Sequence, residues 1–165
     1  MRSKSSYEVR AERFIKMIAP FLIACRSIDD YYCAVNNFNF RYHRAVIMKH
    51  GISRIALITS DYVIKITYDE ESDFGTCEDE RLMYEEAKLA GFDYLFAQIT
   101  HVKYEGKDYY IMPRINGIGK YEDDAFEYLN EEEYEWISNR IYDLHNKNYG
   151  WKNGHVVLID YSAHY

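Results

Sequence analysis

Proline and glycine are scarce in this 165-residue sequence, two and eight in number, and no Pro-, Gly- or Ser-rich stretch offers a place for a linker. That absence argues for one domain, residues 1–165, of a length that a single core accommodates. Cysteine is rare and odd in number. Cys25, Cys33 and Cys77 form no CxxC pair, so neither a disulfide framework nor a zinc site is indicated, and a reducing cytoplasm is the expected compartment. Long apolar runs are missing too: the one uninterrupted stretch, residues 17–25, contains Pro20 and is far too short to span a bilayer. Its end, Leu22-Ile23-Ala24-Cys25, looks like a lipoprotein cleavage box, yet Glu8 and Glu12 stand where a signal peptide is basic. Helical spacing of Phe14, Met17, Ile18, Phe21, Leu22 and Cys25 instead predicts one buried helix face. Positive charge is outnumbered, 20 Lys and Arg against 27 Asp and Glu, which argues against a general nucleic-acid or membrane-surface binder and leaves small anionic ligands open.

What is abundant is tyrosine, 18 residues, a side chain that buries a large ring and keeps a hydroxyl in need of a partner. Apolar periodicity predicts helix over residues 6–35, broken or restarted at Pro20, where a proline is comfortable only in a first turn. A three-stranded meander is expected at 45–49, 54–59 and 62–67, then a helix from Glu78 to Ala90 stopped by Gly91. A hairpin pairs 99–104 with 109–115, two acidic helices occupy 121–129 and 131–142, and Asn153-Gly154 signals a type I′ turn between two final strands. The fold class is therefore α+β on an antiparallel sheet, in three segments: helices at 1–43, sheet plus helix at 44–115, helices and a hairpin at 116–165.

Three charged residues interrupt apolar contexts. Lys65 sits inside Tyr62-Val63-Ile64-Lys65-Ile66, where a half-buried ammonium needs an anionic partner. Asp160 ends Val156-Val157-Leu158-Ile159, a position suited to holding a hard cation. Asp143 and Asn148 stand five apart at the expected end of a helix, so that both can line one loop. An edge-strand lysine, a capping aspartate and solvated loop residues are the plainer readings of each taken singly.

Taken together, these residues resemble the protein-kinase-like superfamily, over about residues 44–162. Lys65 matches the lysine of the third strand, Asp143-x4-Asn148 the catalytic loop, and Asp160-Tyr161-Ser162 the metal-binding D-F-G element. The string Asp143-Leu144-His145-x-x-Asn148-x-Gly150 followed by Ile159-Asp160-Tyr161 is similar to that of small kinase-like proteins of tailed bacteriophages. The resemblance implies a small-lobe sheet with a glutamate helix and an ATP- and Mg²⁺-dependent phosphotransferase. Lys65 would bind the α/β-phosphates, oriented by Glu80, with Glu78 and Glu85 as competitors for that role. Asn148 and Asp160 would hold Mg²⁺, Asp143 would orient or deprotonate the acceptor hydroxyl, and Met112 would stand at the hinge. Backbone amides near Gly51 and Ser53 would cover the nucleotide. The sequence departs from the family pattern in its single phosphate-loop glycine, in Ile141-Tyr142 before Asp143, and in having no activation segment or substrate-binding helices after Asp160. Substrate recognition would then fall to residues 6–35 or to another subunit, a homodimer included. The alternative is a pseudokinase that binds and inhibits a host protein. Its acidic face, eight carboxylates in the fourteen positions from Glu122 to Glu135, could mimic nucleic acid toward a basic partner.

Overall fold

The structure, a computed structural model, describes residues 2–161. It is a mixed α+β fold that divides into two compact units, one taking the described residues up to Ser72 together with Thr100–Arg114, the other Asp73–Ile99 and the residues from Ile115 onward.

The first unit begins with helices α1 (Ser6–Leu22) and α2 (Ile28–Tyr42). Both start at capping boxes: Ser5 with Glu8 three residues on, and Ser27 with Asp30, each side chain taking amides that the first turn leaves without partners. Pro20 neither breaks nor restarts the helix. It lies exposed in the last turn of α1, and the chain breaks at residues 23–27, where the Ser27 cap sets the next start. Five strands follow in an antiparallel sheet of order β1-β2-β3-β5-β4: β1 (Ile47–His50), β2 (Arg54–Ile58), β3 (Tyr62–Thr67), β4 (Thr100–Tyr104) and β5 (Lys107–Pro113). The first strand begins two residues later than its β-rich sequence suggests, because the Asn39 carboxamide pairs with both the N–H and the C=O of Val46 (3.0 and 2.8 Å) ahead of the ladder. Alternation along β3 sends Tyr62, Ile64 and Ile66 into an apolar core with Ile55, Leu57 and Ile111 and with Phe14, Ile18, Leu22 and Phe38 of the helices.

The second unit is less regular. Helix α3 (Cys77–Ala90) is capped by Thr76 with Asp79 and closed by Gly91 in the left-handed conformation that favours glycine (φ 84°). Its buried face is Cys77, Glu80, Met83, Tyr84 and Ala87, whereas Leu82 and Leu89 point to solvent. Only a 3₁₀ turn, Ala125–Tyr128, forms where an acidic helix is expected at 121–129. Tertiary bonds take that backbone instead, since the Ala125 N–H donates to Leu144 O (2.8 Å) and the Tyr149 hydroxyl to Asp123 O (2.7 Å). Helix α4 (Glu131–Ser138) stops short of residue 142, its end satisfied by the Asn139 carboxamide donating to Glu135 O (2.8 Å). The chain then forms the hairpin of β6 (Tyr149–Lys152) and β7 (His155–Leu158), whose turn residues Asn153 and Gly154 both have positive φ (52° and 80°), as the Asn-Gly signal requires. Among the described residues no helix is long and apolar enough to cross a membrane.

Candidate functional site

The second unit brings Glu80 of α3 to the stretch of chain that holds Asp143, Asn148 and Asp160. Asp143 lies in irregular chain beyond α4 and is exposed. Five residues on, Asn148 is buried, and its two ends point two ways: its carboxamide Nδ2 donates to Asp143 O (3.0 Å), and its backbone oxygen accepts the amides of Ile159 (2.8 Å) and Asp160 (3.4 Å). One residue therefore closes the Asp143 loop and seats it against the end of β7. His145, between them, has Nε2 3.8 Å from the Asp143 carboxylate, while its Nδ1 accepts the Lys147 amide (3.2 Å), so a neutral ring carries its proton on the Nε2 that faces Asp143.

Tyr161 fixes the other side of Asp160. Its ring is fully buried edge-on against Phe96 (4.9 Å between centroids), its hydroxyl donates to Ala97 O (2.6 Å), and its amide donates to Glu80 Oε1 (3.3 Å). Glu80 is buried on a helix whose cap Asp79 completes, and its carboxylate accepts a hydrogen bond from the Asp160-Tyr161 segment. Of its competitors, Glu78 is half-exposed and paired with Arg81 (2.5 Å), and Glu85 is exposed. Gly150 is required by close approach: a Cβ there would stand 2.5 Å from Asn116 O and 2.6 Å from Ile115 Cγ2. Ser162, the last residue of the D-F-G-like triplet, lies outside the described residues.

The first unit holds the remaining sequence candidates. Lys65, half-buried, lies between Ala56 of β2 and Tyr110 of β5 on the sheet face opposite the helix-covered core. On that same face Met112 is buried opposite Val63, and β5 runs on through Pro113, so these are strand residues and the chain leaves the ladder at Arg114. The β1–β2 turn is tied internally. Its Gly51 N–H donates to Arg54 O (2.9 Å), the Tyr68 hydroxyl donates to Gly51 O (3.1 Å) and to Ile52 O, and Ser53, buried, accepts the Tyr68 amide on its backbone oxygen (2.9 Å). Gly51 itself has open space where a Cβ would be and no left-handed φ, so the turn does not demand glycine. Sequence reasoning does not single out Tyr68, since an aromatic residue at a strand end gives no signal of which turn it will reach.

Among the described residues no group of three or more His, Cys, Asp or Glu side chains could hold a metal ion. Asn148 and Asp160 are joined through the Asn148 backbone oxygen, and each carries a side-chain oxygen of the hard type that Mg²⁺ takes. No protein-family model matches this sequence, and no curated protein matches it.

Proposed function

We propose that this chain is a minimal, protein-kinase-like phosphotransferase that uses ATP and Mg²⁺ and acts on another protein. The observation that carries the reading is Asn148, which braces the backbone of Asp143 with its side chain and the backbone of Asp160 with its carbonyl oxygen. Phosphoryl transfer asks for positioning and charge neutralisation more than for covalent chemistry, and a loop held this way supplies positioning. Bound ATP-Mg²⁺ would supply the transferable group. Asp160 and Asn148 would hold the cation, Asp143, exposed to an incoming hydroxyl, would orient it and accept its proton, and Lys65 would neutralise phosphate charge. The element order supports the reading as well: a meander carrying the lysine, a helix with a buried glutamate, two strands, then the loop and hairpin.

A specific observation favours a second reading, a kinase-like binding protein that does not transfer phosphate. The Gly51 amide and the Gly51 and Ile52 carbonyls are engaged within the β1–β2 turn and by Tyr68, which leaves this turn fewer backbone groups to cover a nucleotide. Thermal shift with ATP-Mg²⁺, together with transfer of γ-labelled phosphate, separates the readings. The phosphotransferase reading expects a rise in Tm that Lys65→Ala and Asp160→Asn abolish, and label transfer that Asp143→Ala abolishes while keeping the Tm rise. A Tm rise without transfer supports the binding protein; no rise with the wild type overturns the nucleotide site.

A further inference from the structure

The first unit carries an open groove of about 450 Å³ lined by Arg10 and Phe14 of α1, residues 44–46 ahead of β1, and residues 59–62 at the β2–β3 turn. Its floor is apolar: Phe14 and Tyr62 are buried with ring centroids 5.9 Å apart, and Val46 is buried beside the start of β1. Its rim is cationic. Arg10 Nε donates to Asp61 Oδ2 (2.9 Å) and Nη2 donates to the same oxygen, so one guanidinium is held in place by the one carboxylate lining the groove. Asp61 is engaged on its other oxygen too, by the Ser60 hydroxyl (3.2 Å). The turn is pinned from behind by Arg114, whose Nη1 donates to Thr59 O (2.8 Å) and whose amide donates to Asp61 O (3.0 Å).

That leaves Arg44, an exposed guanidinium with no ion pair among the described residues. Two guanidiniums against one carboxylate give the groove a net positive charge in a chain of formal charge −7. Both arginines act on the Tyr62 phenol. Burial and then Asp61 push its pKa up, and Thr59, Arg44 and Arg10 pull against them; both arginines line the groove beside Tyr62. A site with a fixed cation, a second cation in reach and an apolar floor matches an anionic head joined to an apolar body.

We propose that this groove binds a small organic anion, a carboxylate or phosphate carried on an aromatic or branched aliphatic body, with Arg44 forming the ion pair and Phe14 and Tyr62 the apolar wall. The site is separate from the phosphotransferase reading and stands or falls without it. Isothermal titration of the whole chain at low ionic strength, where charge attraction is least screened, tests it with benzoate, phenyl phosphate, inorganic phosphate and benzyl alcohol. At least one of the two aromatic anions should bind more tightly than inorganic phosphate and than the neutral alcohol, and the tighter of them identifies the head group. Arg44→Ala should weaken that binding about tenfold, the loss of one charge-assisted hydrogen bond. Because Arg44 is exposed, this variant keeps the fold, and Lys16→Ala, an exposed cation of α1 outside the groove, should bind as the wild type does. The proposal is overturned if neither aromatic anion binds, if Arg44→Ala binds like the wild type, if Lys16→Ala weakens binding equally, or if inorganic phosphate or benzyl alcohol binds as tightly as the tighter of the two aromatic anions.

Discussion

Each of the two units buries one glutamate, and the two are used differently. Glu8 of the first unit accepts hydrogen bonds from the Ser5 amide (2.7 Å) and hydroxyl (2.8 Å), from Thr100 (2.9 Å) and from Arg2 (3.0 Å), which completes a helix cap and ties it to an edge strand. Glu80 of the second unit stands on a helix whose cap is already made and reaches a segment eighty-one residues on, beside Asp160. The first unit is organised by interdigitated apolar side chains between helices and sheet, with its buried carboxylate in a structural role. The second has short elements and long irregular stretches, and polar side chains do more of the positioning there. Where chain is irregular, a buried polar group can hold a reactive loop at a fixed geometry, which a regular sheet does by its ladder.

Three substitutions probe this contrast. Phe38→Ala should have the largest effect, about 3–5 kcal/mol, since Phe38 is fully buried and packs against Phe14, Phe21 and Tyr42. Denaturant unfolding gives the loss, and amide exchange should report it in α1, α2 and β1–β5. A loss under about 1 kcal/mol would contradict apolar control of the first unit. Glu80→Ala comes next at about 2–3 kcal/mol, because it leaves the buried Tyr161 amide without this acceptor. Faster exchange of the Tyr161 amide is the specific readout, and unchanged exchange would remove Glu80 from its positioning role.

Glu8→Gln should have the smallest effect, about 1 kcal/mol at neutral pH, the difference between charged and neutral hydrogen bonds. It also has a pH signature. Burial alone would raise the Glu8 pKa, but the bonds from Ser5, Thr100 and Arg2 outweigh it and hold the carboxyl below its ordinary value of 4.5. The folded state thus favours the ionised form, so its contribution is present above 4.5 and is lost as pH falls through and below that value. Stability curves of wild type and Glu8→Gln should converge on acidification; parallel curves would show that the charge of Glu8 does not matter.

Much of the fold is legible in the sequence where a local signal decides the outcome. Tyr62–Thr67 is the strand that alternation predicts, Gly91 ends α3, and Asn153-Gly154 makes the hairpin turn. Failures come where distant partners decide. Nothing local tells that Asn39 will take both backbone groups of Val46, or that Leu144 and Tyr149 will claim the backbone of 123–125 and leave the acidic stretch without a full helix. At the candidate site, the sequence marks Asp143, Asn148 and Asp160 by type and spacing. It does not show that Asn148 connects the other two, because that link runs through backbone oxygens which every residue possesses. Gly150 follows the same logic, needed for the passage of Asn116 rather than for any turn.

The double role of Asn148 also sets where the chain can be lengthened. The bond from its side chain to Asp143 O spans a fixed five-residue step, so an inserted residue between 143 and 148 would uncouple the loop from β7. The exposed tip at Asn153-Gly154 has no such span to keep. A reporter peptide or fluorophore placed at that tip would leave the Asp143–Asp160 geometry intact.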